Sequence, residues 1–465
     1  MKYLIAILIF FSTAYPQTTV FPGAVGFGAT ANTAGRGAPI VHVTSLADDG
    51  TGGVTLREAL AVSGAKTIVF DVSGTIMAVD WITLSQPFCT IAGETAPSPG
   101  ITIRNYGLRV RTHDVLIRHI RVRLGDTSTD PCSVPCDVTP PIDPWPCCPP
   151  GEAEVADAFE NLASTVDIYN IAIDHCSFSW GIDETFSIYG TNQTYNAYNI
   201  DVTWCIVSES LMEGHGNPDH QSDGFLIGST GGAGQYDISA TMNLLASNNA
   251  RNPTTQCQNL FWSNNYVDNW GGKAIVLRYE GYVGIAGYGA ITGTNIIGNY
   301  YQEGINTNMG PNASWLEIDG NAGDASDWPV GSFVYESDNV YPAGLAYTDD
   351  TFPEVFVVTN GLPGYVPFAA SAIPGLIPPQ VGARPRDRDA VDIRVITDVI
   401  ANNGALIDSQ DDVGGWPVLA QNLVPFVPVA DPNGEHHNGW TNLEWQLHQL
   451  SQRLIMVTRR GNQLF

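Results

Sequence analysis

The segments NIAIDHCSF (170–178), NIDVTWCIV (199–207) and NLFWSNNYV (259–267) share one pattern. In each segment apolar residues alternate with others, a Cys, Ser or Asn follows, and an aromatic or apolar residue ends the run. Alignment of Cys176 with Cys205 gives a step of 29 residues, and no helical segment intervenes. Irregular periods of this size are typical of a solenoid whose inward side chains stack on neighbouring coils. The pattern therefore predicts an all-β protein, a right-handed parallel β-helix.

A sandwich of antiparallel hairpins is the alternative fold for so many short strands. Few Asn-Gly or Asp-Gly turns separate the apolar runs, which disfavours hairpins. We place the β-helix at 18–377 and a C-terminal extension at 378–465. The extension is expected to form two short helices, over 390–401 and 442–455, and to pack on the β-helix. Thr441 and Glu444 form the capping-box pattern that starts the second helix.

The first 14 residues resemble a secretory signal peptide that extends to about residue 17. Lys2 precedes an apolar core at 4–11, and the small residues Ser12 and Ala14 follow it. This apolar run is too short to span a bilayer, and no later run is long enough. We therefore expect a secreted, soluble protein with no membrane segment.

The chain of 465 residues carries 47 acidic and 20 basic side chains, for a net charge of −27. A hydrophobic content of 44 % is enough for a large core and excludes a disordered acidic protein. Nucleic acid is an unsuitable partner, because phosphate binding needs a basic surface. We expect a monomer.

Eight cysteines and two glycosylation sequons are compatible with export. Four cysteines crowd a Pro-rich insertion and predict a disulfide-stapled loop; these are Cys132, Cys136, Cys147 and Cys148. The other four lie in strand-like segments, where buried thiols and disulfides are equally compatible with the sequence; these are Cys89, Cys176, Cys205 and Cys257. The sequons begin at Asn192 and Asn312.

Several segments, in the same order, resemble secreted pectate lyases and related polysaccharide lyases of the right-handed β-helix class. They include FPGAVGFGATANTAGRG (21–37), LRVRTHDVLIRHIRVRLGD (108–126), IAIDHCSFSWGIDETFSI (171–188) and NNARNP (248–253). The resemblance covers most of the chain beyond the signal peptide. It implies a calcium-dependent lyase that cleaves polygalacturonate or pectate-like uronic-acid polymers by β-elimination.

The reaction removes a proton next to a carboxylate, whose negative charge must first be neutralised. A metal held by hard oxygen ligands provides this, and it also joins an acidic protein to an acidic sugar. By resemblance, the calcium ligands are Asp157, Asp183 and Glu184. Position 155 is Val where the family often has a further Asp, and Ser187 replaces a later acid. These departures imply a weak calcium site, or one that the substrate completes.

The resemblance places the family's catalytic arginine at Arg251. This guanidinium either takes the proton itself when desolvated or stays charged and stabilises the carbanion. The chain has no lysine between 67 and 272, so His220 is a further catalytic candidate, with His215 as a substrate-binding candidate. Arg278 is expected to bind a substrate carboxylate. His175 is interpreted as a residue that stacks between coils.

Six arginines between 104 and 123 alternate along predicted strands, so they share a face. Ion pairs with acidic residues are favoured over a groove for a polyanion. Two other functions stay open: a glycoside hydrolase on the same fold, suggested by GHG at 214–216, and a β-helix that binds glycans without catalysis. Against the hydrolase, the sequence shows no evident cluster of aspartates that would activate water.

Overall fold

The computed structural model describes residues 19–30, 32–126, 157–192, 194–212, 222–229, 234–279, 293–308, 314–320, 333–349, 361–362, 364–437 and 439–455. The predicted signal peptide, the four clustered cysteines and the sequon at Asn312 lie outside these residues.

Three parallel sheets form the body of the protein. Sheet 1 consists of β1 (Ile40–Val43), β2 (Lys66–Phe70), β5 (Cys89–Ala92), β8 (Val115–Arg118), β11 (Ile168–Asp174), β14 (Ala197–Thr203), β17 (Gln235–Thr241), β20 (Asn259–Ser263), β23 (Gly293–Ile297) and β26 (Phe333–Ser337). Sheet 2 consists of β3 (Val72–Met77), β6 (Ile101–Arg104), β9 (Ile120–Arg123), β12 (Ser177–Ser179), β15 (Ile206–Ser208), β18 (Leu244–Ala246), β21 (Tyr266–Asp268) and β24 (Tyr300–Gln302). Sheet 3 consists of β4 (Ile82–Leu84), β7 (Leu108–Val110), β10 (Phe159–Ala163), β13 (Glu184–Gly190), β16 (Asp223–Ser229), β19 (Thr254–Thr255), β22 (Lys273–Tyr279), β25 (Ser314–Gly320) and β27 (Ala346–Asp349).

The chain passes from sheet 1 to sheet 2 to sheet 3 and then starts the next circuit, so each circuit is one coil. Equivalent strands of successive coils pair in parallel; in β11 and β14, for example, Ile171 lies beside Ile200 and Ile173 beside Val202. The predicted parallel β-helix is confirmed, and the antiparallel sandwich is excluded as the fold of these sheets.

The Cys and Asn positions of the sequence pattern form a ladder at the corner between sheets 1 and 2. The backbone N–H of Cys176 donates to the sulfur of Cys205, whose own N–H donates to Oδ1 of Asn243 at 2.8 Å. The N–H of Asn243 then donates to Oδ1 of Asn265 at 3.0 Å. Each rung satisfies a backbone donor that a turn inside the core would otherwise leave unpaired. The corner therefore requires a short polar or sulfur-containing side chain once per coil.

Apolar side chains fill the interior of the coils in stacks. Phe159 and Phe186 stack with ring centroids 5.1 Å apart, and Phe225 meets Phe186 edge-on at 4.5 Å. All three are fully buried. Cys89, Cys176, Cys205 and Cys257 are buried free thiols, which decides between the two alternatives left open by the sequence.

Helices and short strands cover the ends and sides of the solenoid. The helices are α1 (Phe27–Thr30), α2 (Leu56–Ala61), α3 (Ile373–Gln380), α4 (Ala390–Ala401) and α5 (Asn442–Ile455), and short 3-10 turns occur at Gly93–Thr95, Ala370–Ala372 and Gln410–Val413. The strand β28 (Asn422–Leu423) pairs antiparallel with β3, and β29 (Glu435–His437) pairs with β30 (Trp440–Thr441). No helix in the described part of the chain is long and apolar enough to cross a membrane.

Two of these helices match the prediction for the C-terminal extension, α4 and α5. The capping box at the start of α5 is confirmed, because Glu444 accepts from the N–H of Thr441 at 2.7 Å and donates its own N–H to the Thr441 hydroxyl at 3.2 Å. The sequence did not predict α3, which spans the proposed boundary at 377/378.

The arginines of 104–123 mainly make structural contacts. Arg123 donates to Asp389 and Asp392 of the C-terminal extension, and the side chains of all three are fully buried. Arg121 lies 3.6 Å from Asp389, and Arg118 pairs with Asp174 at 2.7 Å. The favoured prediction of ion pairs is confirmed for these arginines, and the pairs of Arg121 and Arg123 hold α4 against the outer face of sheet 2.

Candidate active site

The corner between sheets 2 and 3 brings the predicted acidic residues into one column. Asp157 lies two residues before β10, Asp183 lies directly before β13, and Glu184 is the first residue of β13. On the next coil Asp223 is the first residue of β16, and the pairing register places it beside Glu184. Since strands of successive coils are about 4.8 Å apart, residues with matching register become neighbours.

Three carboxylates of this column form a cluster. One oxygen from each of Asp157, Asp183 and Glu184 lies within 4.8 Å of the others. Asp157 and Glu184 are buried, whereas the side chain of Asp183 is 55 % exposed. The cluster therefore opens to solvent on one side and presents hard oxygen atoms there.

The surroundings of Asp157 fix its orientation and concentrate negative charge. Its carboxylate accepts hydrogen bonds from the backbone N–H of Glu184, at 3.2 Å, and from the hydroxyl of Ser187. Burial raises the pKa of Asp157 well above its usual value, and the charges of Glu160 and Asp183 raise it further. A bound cation would relieve this repulsion. Ser187, which replaces an acid of the family pattern, thus orients one of the candidate ligands.

Arg251 reaches this cluster from the following coil. It has a left-handed backbone conformation (φ 54°), and its N–H donors contact Glu184 and, at 3.0 Å, Asp223. A weaker contact of 3.8 Å joins it to Asp183. Burial lowers the pKa of Arg251, and the charge of Arg278 adds to this, although the charges of Asp183 and Asp157 oppose it. The guanidinium is therefore held beside the acidic cluster and is easier to deprotonate than an arginine in water.

Comparison with known proteins identifies relatives that match most of this chain. No family model matches the chain. The chain is 30 % identical over 418 residues to "Probable pectate lyase C" of Aspergillus oryzae, covering 87 % of this chain and 83 % of that protein. It is 31 % identical over 454 residues to "Probable pectate lyase C" of Neosartorya fischeri, covering 93 % and 88 %.

The chain belongs to the pectate lyase family. Among solved structures, the cedar-pollen allergen jun a 1 superposes with a TM-score of 0.52 and 18 % sequence identity, covering 76 % of this chain and 91 % of that one. That similarity supports the β-helix fold.

Within this pectate lyase family member, the structure brings together Asp157, Asp183, Glu184 and Arg251. Arg278, at the exposed side of β22, is close enough for its charge to lower the pKa of Asp223, while burial and Asp183 raise that pKa well above its usual value. Its assignment to substrate binding stays a prediction.

The two histidine candidates, His215 and His220, lie outside the described residues, so their roles stay predictions. The sequence reasoning missed Asp223, although it lies in the quoted segment EGHGNPDHQSDGFLIG (213–228). Only its register with Glu184 distinguishes it from the other acids of an acidic protein. The side chain is 1 % exposed, and its Oδ1 has no hydrogen-bond partner among the described residues.

Proposed function

We propose that the protein is a secreted polysaccharide lyase that cleaves polygalacturonate or pectate-like chains by β-elimination. The observation that carries this proposal is the contact of Arg251 with an acidic cluster on the preceding coils. The names of the two relatives, probable pectate lyases, support the same activity. Export rests on the apolar N-terminal segment after Lys2. The proposed working form is a monomer.

The donor set fits a calcium ion. Asp157, Asp183 and Glu184 offer carboxylate oxygens, the ligands that calcium prefers, and Asp183 is exposed to an incoming substrate. The buried, unpartnered Oδ1 of Asp223 adds a further oxygen close to Glu184. When bound, calcium would neutralise the substrate carboxylate and so make the neighbouring C–H proton more acidic.

In this proposal Arg251 accepts the proton from the carbon next to the carboxylate. The C–H electron pair forms a carbon–carbon double bond, the glycosidic C–O bond breaks, and water protonates the leaving oxygen. Burial lowers the pKa of Arg251 and so increases the share of the neutral guanidine that can accept a proton, and Asp223 fixes the direction of its Nε. Arg278 is proposed to bind a second carboxylate of the polymer, and His220 and His215 to bind substrate or transfer protons.

The test is an assay with polygalacturonate that records both near-ultraviolet absorbance and reducing ends. The wild type should generate both signals together, and a chelator should abolish them. Arg251→Ala should lower kcat by about 10³-fold because it removes the proton acceptor. Arg36→Ala is a matched control, since Arg36 is a similarly buried arginine that pairs with Glu444 away from the column.

Two outcomes would contradict the proposal. Reducing ends without the absorbance would identify a hydrolase. Retention of pectate with neither signal, unchanged in Arg251→Ala, would identify a glycan-binding β-helix.

A further inference from the structure

A pocket of about 440 Å³ lies at the corner between sheets 1 and 2, away from the acidic column. We call it the corner pocket; its lining includes Phe21, His175, Trp204, Met242, His448 and Gln452. Sheet 2 separates this corner from the acidic column, and the C-terminal extension covers the outer face of sheet 2 between them. The corner pocket is therefore a different site from the proposed catalytic site.

One wall of the corner pocket is a stack of rings from three successive coils. His175 stacks between His119 and Trp204, with ring centroids 5.4 Å and 5.8 Å away. Met242 occupies the same corner one coil further on, and it lines the pocket together with the half-buried ring of Trp204. The wall thus combines a flat aromatic side chain with an apolar, polarisable one.

On this wall, His175 has a ring nitrogen that no described residue engages. Its Nδ1 lies 2.8 Å from Asp174, whose pKa is held below its usual range by His175 and Arg118 although burial opposes this. The ionised carboxylate accepts a hydrogen bond from Nδ1, which leaves Nε2 as the ring nitrogen available to another partner. The side chain is 5 % exposed, and Nε2 has no hydrogen-bond partner among the described residues. A buried polar atom of this kind requires a hydrogen-bond partner.

The helix α5 supplies a second polar group of the same kind. His448 lines the corner pocket with its Nδ1 buried and without a hydrogen-bond partner in the described part of the chain. Gln452 lies one turn further along the helix and also lines the pocket. Polar groups therefore face the aromatic wall, an arrangement typical of sites for small polyhydroxylated ligands.

The charges around the corner pocket select against an anion. Arg118 is the pocket's only lining cation among the described residues, apart from its histidines, and it is already engaged. It pairs with Asp174 at 2.7 Å and lies 3.5 Å from Glu94. It also donates to Ser451 at 2.6 Å, and its guanidinium lies 4.2 Å from the ring centre of Phe21. A carboxylate ligand would meet Asp174 without a free cation.

We propose that the corner pocket binds an uncharged saccharide. One sugar ring would pack on Trp204, and a hydroxyl group would form a hydrogen bond with Nε2 of His175, with His448 and Gln452 contacting further hydroxyls. Such a site would hold neutral sugars of a polysaccharide while the acidic column engages its uronic acids. The binding inference does not depend on the lyase activity, because it uses different residues on a different corner.

The test is calorimetric titration of the full-length protein with three probes: galactotriose, arabinotriose and trigalacturonate. We expect at least one neutral trisaccharide to bind to Arg251→Ala as tightly as to the wild type. Trp204→Ala should weaken that binding by about tenfold, because it removes the stacking surface. Tyr198→Ala is the matched control, since Tyr198 is a half-buried ring at the other end of the strand that precedes Trp204.

A second variant distinguishes a loss of binding from a folding defect in Trp204→Ala. Gln452→Trp introduces bulk from the surface of α5 and should abolish binding while the thermal unfolding temperature stays close to that of the wild type. The proposal is overturned if neither neutral trisaccharide binds, or if trigalacturonate is the only one of the three probes that binds at this site. It is also overturned if neither Trp204→Ala nor Gln452→Trp weakens the binding.

Discussion

The buried charges between sheet 2 and α4 give a sharp prediction about stability. Arg123 donates to Asp389 at 2.9 Å and to Asp392 at 2.8 Å, and Arg121 lies 3.7 Å from Asp392. None of these side chains is exposed. The two cations and two anions balance, so replacement of one aspartate by asparagine leaves an uncompensated positive charge.

The change Asp392→Asn should lower the free energy of unfolding by about 3–5 kcal/mol. At 2.8 Å and an effective dielectric constant of about 20, the lost attraction to Arg123 is about 6 kcal/mol, and the smaller desolvation cost of a neutral amide offsets part of it. Ser177 and Arg123 both donate to Asp392 in the wild type, so the N–H₂ group of the new amide would face one of these donors. The pKa of Arg123 is raised by Asp389 and Asp392 although burial opposes this, so the arginine cannot deprotonate to compensate.

Urea denaturation followed by tryptophan fluorescence measures this loss, and hydrogen exchange in α4 shows whether the helix detaches first. Asp398→Asn is the matched control, because Asp398 also lies in α4, and its side chain and that of its partner Arg394 are 27 % and 25 % exposed. The control should change stability by no more than about 1 kcal/mol. The reasoning is refuted if Asp392→Asn costs no more than its control.

Three further changes test the site and the core. At saturating calcium, Asp223→Asn should lower kcat about 100-fold, since Asp223 directs Nε of Arg251; an unchanged kcat in steady-state assays would contradict this. Ser187→Ala should weaken calcium binding about tenfold in calorimetry, because Asp157 loses a hydrogen bond; equal affinity would exclude an orienting role. Burial raises the pKa of Asp268 to about 7 in the folded state. The folded protein therefore binds this proton more tightly than the unfolded chain does, and the free energy of unfolding falls as the pH rises from about 4 to 7. Asp268→Asn should therefore stabilise the protein by up to about 4 kcal/mol in urea denaturation at pH 8.5 and hardly at pH 4; an equal gain at both pH values would refute this.

The repeat pattern was sufficient to predict the coils, because the side chains that build them are local in sequence. The alignment of Cys176 with Cys205 is reproduced as one rung of the corner ladder, and the interpretation of His175 as a stacking residue is confirmed by its two ring neighbours. The helix starting at Asn442 was predictable for the same reason, since a capping box is contained within four residues.

The candidate site was predictable only where family resemblance marked individual residues. Resemblance indicated Asp157, Glu184 and Arg251, and the structure brings them into contact. Resemblance did not indicate Asp223, whose position beside Glu184 depends on the pairing of β13 with β16. A shift of that register by one residue would turn the side chain to the other face of the sheet.

The sequence by itself determined that this chain forms a β-helix, and its resemblance to a family indicated the acidic residues and the arginine that the structure brings together. Only the tertiary structure decided the partners of the buried charges, such as Arg123 with Asp389, which are 266 residues apart. It alone also showed that His175 lines a pocket and that its Nε2 has no hydrogen-bond partner in the part of the chain that the structure describes. The physical reason is that strand patterns depend on neighbours along the chain, whereas ion pairs and pockets depend on which coil and which C-terminal segment become neighbours in space.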